Sequence, residues 1–387
     1  MDRRRGWEVL GITTGAFFVT MVARLTLSPL VPDIIDSFGV SKSATGIALT
    51  GMWAAYALFQ FPGGTLADRI GERGTIAFAI GATGLASVIL AFAPSFLWLA
   101  IFAVVLGTGA GFYYTAGSAY LTRQFENTGR ALGIHEIGAS AAGLIAPVAV
   151  AFLAARYGWR AGPMLPAVLA FVVVGLIVVR LPRTPAVTPD RTLRDQLNAD
   201  RLWQLLSRPE IRFTAILAVP GYFTWQSFAS FFPTFLVEYT GLTTPTASVI
   251  FGGVFAVTVV GTPALGSISD SIGRDRSLMM AFAIGSVGFI VFLVGNGWLA
   301  ILLGSLLVGG GLSFPGVINS RFMDHLSSTE RGTGFGLVRT IVLLLSSLGS
   351  GVTGSLADGW GWSVAYGFTA LLFAGLAGLL LLNSVRQ

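Results

Sequence analysis

Twelve long apolar runs dominate the chain and leave few folds open to it. Each run has about 20 mainly apolar residues, the length that crosses the hydrocarbon core of a bilayer as an α-helix. The alternating pattern of a membrane β-strand is absent from these runs, so the sequence predicts an all-α membrane protein. We number the twelve predicted transmembrane helices as spans 1 to 12, over residues 8–30, 44–66, 75–93, 96–120, 131–155, 163–181, 213–236, 246–268, 277–294, 298–319, 333–356 and 363–382.

The composition excludes several classes of protein. Only 11% of the 387 residues are charged and 54% are hydrophobic, whereas soluble domains have roughly a quarter of their residues charged. With two histidines and no cysteine, neither a metal site nor a disulfide scaffold is expected. The single lysine, Lys42, lies outside any P-loop pattern, and Gly107, Gly109 and Gly111 inside span 4 are interpreted as helix-packing glycines. We expect no cofactor and no enzymatic activity.

The arginines predict how the chain is oriented in the membrane. With the N-terminus in the cytoplasm, 19 arginines lie on the cytoplasmic side, and only Lys42, Arg156 and Arg160 lie outside. Because cytoplasmic loops of membrane proteins carry the excess of positive charge, both termini are predicted to be cytoplasmic, in a multi-pass protein of the plasma membrane. The net charge of +6 is then explained by the cytoplasmic arginines that orient the chain in the membrane. The expected partner is the lipid bilayer and not nucleic acid, and the chain is expected to be a monomer.

One long polar stretch divides the spans six and six. It predicts an N-terminal six-helix bundle over residues 1–182, a cytoplasmic central loop over 183–212 and a C-terminal six-helix bundle over 213–387. Within the loop, residues 190–208 have helical periodicity with leucines on one side. This pattern predicts an amphipathic helix at the membrane surface.

The two halves repeat a sequence motif. Gly64-Thr-Leu-Ala-Asp68-Arg-Ile-Gly71 and Gly266-Ser-Ile-Ser-Asp270-Ser-Ile-Gly273 share the spacing G-x3-D-x2-G, 202 residues apart. Two further landmarks recur at nearly the same offset: an Arg and Gly before spans 5 and 11, and a Gly-Trp pair after them. The offsets indicate a parallel duplication of six spans, a design found in transporters. The segment Gly354–Gly361 has the same bare spacing, but on the predicted outer side.

The two repeated loops, extended to Arg73 and Arg276, resemble the signature loop of the major facilitator superfamily. The second loop keeps the basic residues after its last glycine, whereas the first has Glu72 at the leading basic position and keeps Arg73. The resemblance covers all twelve spans and implies two parallel bundles that work by rocker-switch alternating access. It also implies that the loops are a conformational latch for the inward-closed state; a role in topology alone is the alternative. The implied latch residues are Gly64, Asp68, Gly71, Arg73, Gly266, Asp270, Gly273 and Arg274.

Away from the span ends, the ionisable residues Arg24, His135, Glu136 and Arg339 fall inside spans, where charge is costly and by default marks a functional pathway. Arg24 in span 1 is the candidate for binding an anionic group of a substrate. Its surroundings resemble those in organic anion:cation symporters of the superfamily, which carry an acid where this chain has Ala23. A structural ion pair, or a side chain that reaches outward to water, is the alternative role for Arg24.

The other intramembrane charges suggest a coupling site or a gate. Glu136 in span 5 is the only carboxylate clearly within a span, so proton coupling would use it, with His135 as a shuttle. A fixed salt bridge to a neighbouring arginine is the equal alternative. Arg339 in span 11 lies at the same predicted depth in the membrane as Glu136. It is interpreted either as a gate residue that pairs with Glu136 or as a structural residue.

Aromatic and polar residues complete the predicted substrate site. In the superfamily, helices 1, 4, 7 and 10 of the twelve line the cavity, so the resemblance implies substrate contacts from Tyr113, Tyr114, Trp225 and Gln226. Gln226 follows Arg24 by 202 residues and is its repeat counterpart. The alternative for the aromatic residues is anchoring at the membrane interface.

Three functions compete at this stage. The leading hypothesis is a secondary active transporter, a proton-coupled symporter of a small organic anion of the carboxylate type. The alternative within the superfamily is a proton antiporter that exports drugs or hydrophobic compounds. Such antiporters carry Gly-Pro in helix 5, where this chain has Ala146-Pro147, which argues against that alternative. The third hypothesis is a membrane sensor or scaffold that transports nothing.

Overall fold

The computed structural model describes residues 3–186, 199–327 and 333–386, and these residues contain helices but no strands. A 3₁₀ turn, Trp159–Ala161, follows α6. We number the α-helices in chain order: α1 (Arg3–Leu25), α2 (Leu27–Phe38), α3 (Lys42–Ile70), α4 (Glu72–Ala91), α5 (Phe96–Gln124), α6 (Thr128–Tyr157), α7 (Met164–Arg180), α8 (Ala199–Ser207), α9 (Pro209–Thr240), α10 (Thr244–Ile272), α11 (Arg274–Val294), α12 (Gly297–Gly311), α13 (Pro315–Asp324), α14 (Thr333–Ser346), α15 (Leu348–Trp360) and α16 (Trp362–Arg386).

The helices account for the twelve predicted spans. Within the described residues, ten helical segments are long and apolar enough to cross a membrane. Helices α3 and α9 supply spans 2 and 7; at 29 and 32 residues they are long enough to cross a membrane, but they are not among these ten segments. The all-α, multi-pass architecture predicted from the apolar runs is confirmed.

Three spans are interrupted, which the sequence pattern did not indicate. Span 10 is divided between α12 and α13, while the breaks in span 1 at Thr26 and in span 11 at Ser347 are single-residue irregularities at which the dihedral angles stay helical (φ −56°, ψ −37° and φ −59°, ψ −25°). Pro315 is the first residue of α13, a position where proline costs little because the first N–H groups of a helix have no intrahelical partner. The break in span 1 comes two residues after Arg24.

The chain divides into two compact units. The first contains residues 1–40 and 51–198, and the second contains residues 41–50 and 199–387. Helix α3 is therefore divided, with Lys42–Thr50 in the second unit and the remainder in the first. We describe each unit by itself.

Close helix packing in the first unit depends on the glycines of α5. A Cβ atom added to Gly111 would lie 2.8 Å from the backbone oxygen of Tyr56, and one added to Gly109 would lie 2.9 Å from the backbone nitrogen of Thr83. Only residues without a side chain allow helices to approach this closely. The interpretation of these residues as helix-packing glycines is confirmed.

Part of the predicted amphipathic helix is present in the second unit. Helix α8 covers Ala199–Ser207 and packs against α9 and α14. Leu205 is buried, while Trp203 is exposed. The rest of the predicted helix, residues 190–198, lies outside the described residues.

Candidate functional site

Arg24 is buried near the break in span 1, within an aromatic cage. Only 3% of the residue is exposed. Its guanidinium carbon lies 3.8 Å from the ring centroid of Tyr56 and 5.3 Å from that of Trp53, and its Nε donates to the backbone oxygen of Thr20 at 3.0 Å. Aromatic rings attract a cation through their faces without neutralising its charge. Two aromatic side chains of α3 thus hold a buried positive charge inside the first unit.

Two consecutive tyrosines of α5 contact two consecutive ionisable residues of α6. The Tyr113 hydroxyl donates to the backbone oxygen of Thr13 at 2.5 Å and lies 2.9 Å from Nε2 of His135. The Tyr114 hydroxyl donates to Oε1 of Glu136 at 3.2 Å. The structure therefore joins four of the predicted site residues in two adjacent hydrogen-bonded pairs, a group formed where α5 meets α6.

Burial within this group differs from the expectation. His135 is fully buried and stacks on Phe17, with ring centroids 4.6 Å apart and planes 5° apart. Glu136, for which burial was expected, is exposed at the surface of the chain. The reason is helical geometry, because adjacent residues of a helix point about 100° apart. His135 is enclosed by Phe17 of α1 and Tyr113 of α5, whereas Glu136 is turned toward the surface and contacts Tyr114 of α5. His135 is therefore the interior member of the pair.

The predicted pairing of Glu136 with Arg339 stays a prediction. Glu136 belongs to the first unit and Arg339 to the second. Arg339 is half-buried on α14. Its role as a gate residue is likewise a prediction.

The predicted site residues of the second unit lie on α9. Gln226 is 3% exposed, and its Nε2 lies 3.5 Å from the backbone oxygen of Leu343 on α14. Trp225 is half-buried and meets Phe255 edge to face at 6.4 Å. One turn earlier, the Tyr222 hydroxyl donates to Oδ1 of Asn319 on α13 at 3.4 Å. Polar groups from α9, α13 and α14 thus face one another inside this unit.

Sequence reasoning missed two kinds of residue. Trp53 joins Tyr56 in the cage of Arg24 although its position in α3 gives no sign of a partner in α1; the one available signal was its spacing of three from Tyr56, which places both on one helix face. Arg321 was counted only toward topology. It is 8% exposed, its Nε donates to Asp275 at 2.8 Å, its Nη1 donates to the Thr214 hydroxyl, and it lies over the ring of Phe213.

The first latch loop is tightly packed. Gly71 has φ +85°, and a Cβ atom there would collide with the backbone oxygen of Thr184. Arg73 donates from its backbone nitrogen to the Thr184 hydroxyl at 3.3 Å and from Nη2 to the Val178 oxygen at 2.5 Å. Asp68 lies 3.9 Å from Nη2 of Arg123, at the end of α5. Gly64 lies on α3, where an added Cβ would be 2.9 Å from Thr115.

The second latch loop is open and is held mainly by charge. Gly273 has φ +92°, and neither Gly273 nor Gly266 would meet another atom within 4 Å if a Cβ were added. Arg274 donates to Asp270 at 2.7 Å and to Asp324, at the end of α13, at 3.2 Å. The structure brings the predicted Asp270 and Arg274 together.

Comparisons with known proteins place the chain in a family. The family model described as Major Facilitator Superfamily matches residues 13–239 and 214–386. The hexuronate transporter of Bacillus subtilis is 24% identical over 93% of this chain and 89% of its own length. The probable sulfoacetate transporter SauU of Cupriavidus necator is 29% identical over 44% of this chain and 38% of its own length.

A likeness to solved structures supports the same fold. A bacterial homologue of the human lysosomal transporter Spinster superposes with a TM-score of 0.81 at 17% identity, covering 99% of this chain and 98% of that one. The repeated loops, the apolar helices and the family match agree. The chain therefore belongs to the Major Facilitator Superfamily and is a multi-pass secondary transporter, not an enzyme.

Proposed function

We propose that the chain transports a small organic anion of the carboxylate type in symport with protons, by rocker-switch alternating access. The observation that carries the proposal is Arg24. A buried charge in a membrane span is costly unless the protein uses it, and the carbon of this guanidinium lies 3.8 Å from the centroid of the Tyr56 ring. Aromatic rings attract the cation without neutralising its charge, so the charge can attract a carboxylate, which binds a guanidinium through its N–H groups.

The chemistry of two relatives supports an anionic substrate. Hexuronates and sulfoacetate, named in their descriptions, are small organic anions, and a guanidinium binds both carboxylate and sulfonate oxygens. In this proposal Arg24 binds the anionic group, and the further substrate contacts come from Tyr113, Tyr114, Trp225 and Gln226. The substrate is a small molecule, and the working unit is a monomer.

Protons are the proposed coupling ion. Glu136 accepts the proton, and the buried His135 passes it on. The hydroxyls of Tyr113 and Tyr114, which contact His135 and Glu136 at 2.9 and 3.2 Å, orient both groups. Arg339 acts as a gate residue. The two latch loops hold the inward-closed state, and both termini are cytoplasmic in the plasma membrane.

Uptake of radiolabelled glucuronate and sulfoacetate into proteoliposomes tests the substrate assignment. We expect Arg24→Ala to reduce initial uptake of the transported anion by about 10- to 100-fold, the factor for losing a charge-assisted hydrogen-bonded contact. Arg156→Ala is the matched control, because Arg156 also contacts an aromatic ring, Phe152, at 5.4 Å but is exposed. Full uptake by Arg24→Ala would overturn the anion site and favour the exporter of hydrophobic compounds. No uptake of any tested compound by the unmodified protein would favour the sensor.

The same vesicles test proton coupling. With an imposed pH gradient, Glu136→Gln should lose accumulation of the anion above equilibrium but keep exchange of labelled for unlabelled anion, because exchange moves no net proton. Glu126→Gln, ten residues earlier and outside the spans, is the matched control. Undiminished accumulation by Glu136→Gln would remove Glu136 from the coupling role.

A further inference from the structure

Gln226 on α9 carries a buried hydrogen-bond acceptor that has no donor. Only 3% of the residue is exposed, and its Nε2 lies 3.5 Å from the backbone oxygen of Leu343. An amide donates through its nitrogen and accepts through its oxygen, so this contact fixes the orientation of the amide and leaves Oε1 as the free atom. No donor among the described residues reaches Oε1. Because buried polar atoms of proteins nearly always have a partner, we expect a ligand or water to donate to Oε1.

A second amide is joined to the same face of α9. Tyr222 and Gln226 are four residues apart, a spacing that places both side chains on one face of a helix. The Tyr222 hydroxyl donates to Oδ1 of Asn319 on α13 at 3.4 Å, which leaves Nδ2 of Asn319 as a further donor. The Tyr222 ring also packs on Phe314, with ring centroids 5.3 Å apart, immediately before α13 begins. We call Tyr222, Gln226 and Asn319 the neutral triad.

The neutral triad and Arg24 differ in the chemical groups that they can bind. A guanidinium has only donors, which suits the acceptor oxygens of a carboxylate. Oε1 of Gln226 is an acceptor, and an ionised carboxylate has no proton to donate to it. A hydroxyl group both donates and accepts, so hydroxyls can donate to Oε1 of Gln226 and accept from Nδ2 of Asn319. The free atoms of the neutral triad are therefore complementary to hydroxyl groups.

We propose that the neutral triad binds hydroxyl groups of the substrate, so that the transported anion is a hydroxylated acid of the sugar-acid class. This inference rests on the proposed function, in which Arg24 binds the anionic group. Arg24 then selects for the carboxylate, and the neutral triad selects for the hydroxyls. Of the two anions named for the uptake assay, glucuronate carries hydroxyl groups and sulfoacetate has none. The chain should therefore prefer glucuronate.

The preference for a hydroxylated anion should be large. An anion without hydroxyls leaves Oε1 of Gln226 without a donor in the complex. Sites that hydrogen-bond a substrate hydroxyl through buried groups reject analogues that lack it by about 10⁴- to 10⁵-fold. Asn319 is only half-buried, so water replaces part of its contact with the substrate. We therefore expect a preference of at least about 100-fold.

Binding of ligands that differ in one group at a time tests the proposal. Calorimetry on the purified protein in nanodiscs compares glucuronate with cyclohexanecarboxylate, which has a six-membered ring and a carboxylate but no hydroxyls. Sulfoacetate is a second anion without hydroxyls, and methyl glucoside has hydroxyls but no carboxylate. We expect glucuronate to bind at least about 100-fold more tightly than either anion without hydroxyls.

Variants of the neutral triad identify the atoms that select for hydroxyls. Gln226→Met keeps the length of the side chain but removes its amide, and should weaken glucuronate binding about 10-fold, the factor for one lost hydrogen bond. Binding of cyclohexanecarboxylate should stay unchanged, which also shows that the variant is folded. Asn319→Leu should act in the same direction. The matched control is Thr224→Val, because Thr224 also has a buried oxygen without a partner among the described residues but points about 200° away from Gln226; it should leave the ratio of the two affinities unchanged.

The same ligands separate failure of this inference from failure of the anion assignment. Arg24→Ala should weaken glucuronate and cyclohexanecarboxylate by the same factor and leave methyl glucoside unchanged. If methyl glucoside binds as tightly as glucuronate and Gln226→Met weakens both, the anion assignment fails while hydroxyl binding by the neutral triad stands. Equal affinities for glucuronate and cyclohexanecarboxylate, an equal loss of both in Gln226→Met, or no binding of either hydroxylated ligand would overturn the inference and leave water as the partner of Oε1.

Discussion

The two latch loops share their spacing but carry opposite charges at one position. In the first, Glu72 follows the last glycine and lies 2.8 Å from Nη1 of Arg123 at the end of α5. In the second, Arg274 occupies the same position and lies 3.2 Å from Asp324 at the end of α13. Both pairs join the start of one helix to the end of a later one. The ion pair has therefore been kept through the duplication while its two signs were exchanged.

The two ion pairs differ in their exposure to solvent, so substitutions in them should differ in their effect on stability. The Glu72 side chain is only 1% exposed, whereas Arg274 is 29% exposed and Asp324 is 50% exposed. A buried charge that loses its partner is strongly destabilising, while an exposed charge is solvated instead. The comparison shows that the departure of Glu72 from the family pattern is balanced by Arg123 and is not a defect of the first loop.

The largest effect is expected from giving the first loop the charge of the second. Glu72→Arg places two guanidinium groups together at a buried site and should lower stability by about 3–5 kcal/mol. Adding Arg123→Glu should recover at least half of the loss, because Asp68 then takes the position that Asp270 has beside Arg274. Thermal unfolding in detergent, followed by tryptophan fluorescence, measures both variants. A double variant no more stable than the single one would contradict the exchanged pair.

An intermediate effect is expected from the loop glycines. Gly71 and Gly273 have φ, ψ values of 85°, 149° and 92°, 159°, a region that costs other residues about 1–3 kcal/mol. Alanine at Gly273 should cost only this strain, while alanine at Gly71 should cost more because its Cβ collides with the Thr184 oxygen. Melting temperatures of the two variants provide the measurement. Equal losses would mean that the first loop is packed no more tightly than the second.

The smallest effect is expected at the exposed pair. Arg274→Gln should change stability by at most about 1 kcal/mol, and the difference from the unmodified protein should shrink further in 1 M salt, where exposed charges are screened. Glu72→Gln is the comparison, and its loss should persist in salt because the site is buried. Melting curves at low and high salt test this. An equal salt response at the two sites would remove the distinction between the loops.

Much of the fold was predictable because its signals are local. The length of an apolar run is enough to identify a membrane helix, and the spacing of the repeated loops is enough to identify the duplication. The breaks in spans 1, 10 and 11 were not predictable in this way, since hydropathy averages over a break of one to three residues. The signals for Arg24, His135 and Glu136 were also local, because charge in an apolar run stands out.

What surrounds those charges was not predictable from local signals. The cage of Trp53 and Tyr56, the burial of His135 in place of Glu136, and the contacts of Arg321 each depend on which faces of separate helices meet. Asp358 is the clearest case, because the spacing of Gly354–Gly361 gives no sign that its carboxylate accepts hydrogen bonds from the backbone N–H groups of Lys42 and Ser43.

The sequence by itself therefore determined that this protein is a bundle of membrane helices built from two related halves. The length and periodicity of an apolar run can be measured within one segment of the sequence, so the helix that it packs against does not have to be known. Only the tertiary structure decided which charges are paired, as with Arg274 and Asp324, which are 50 residues apart. An ion pair depends on the distance between helix ends, and that distance is set by how the helices of a unit pack together.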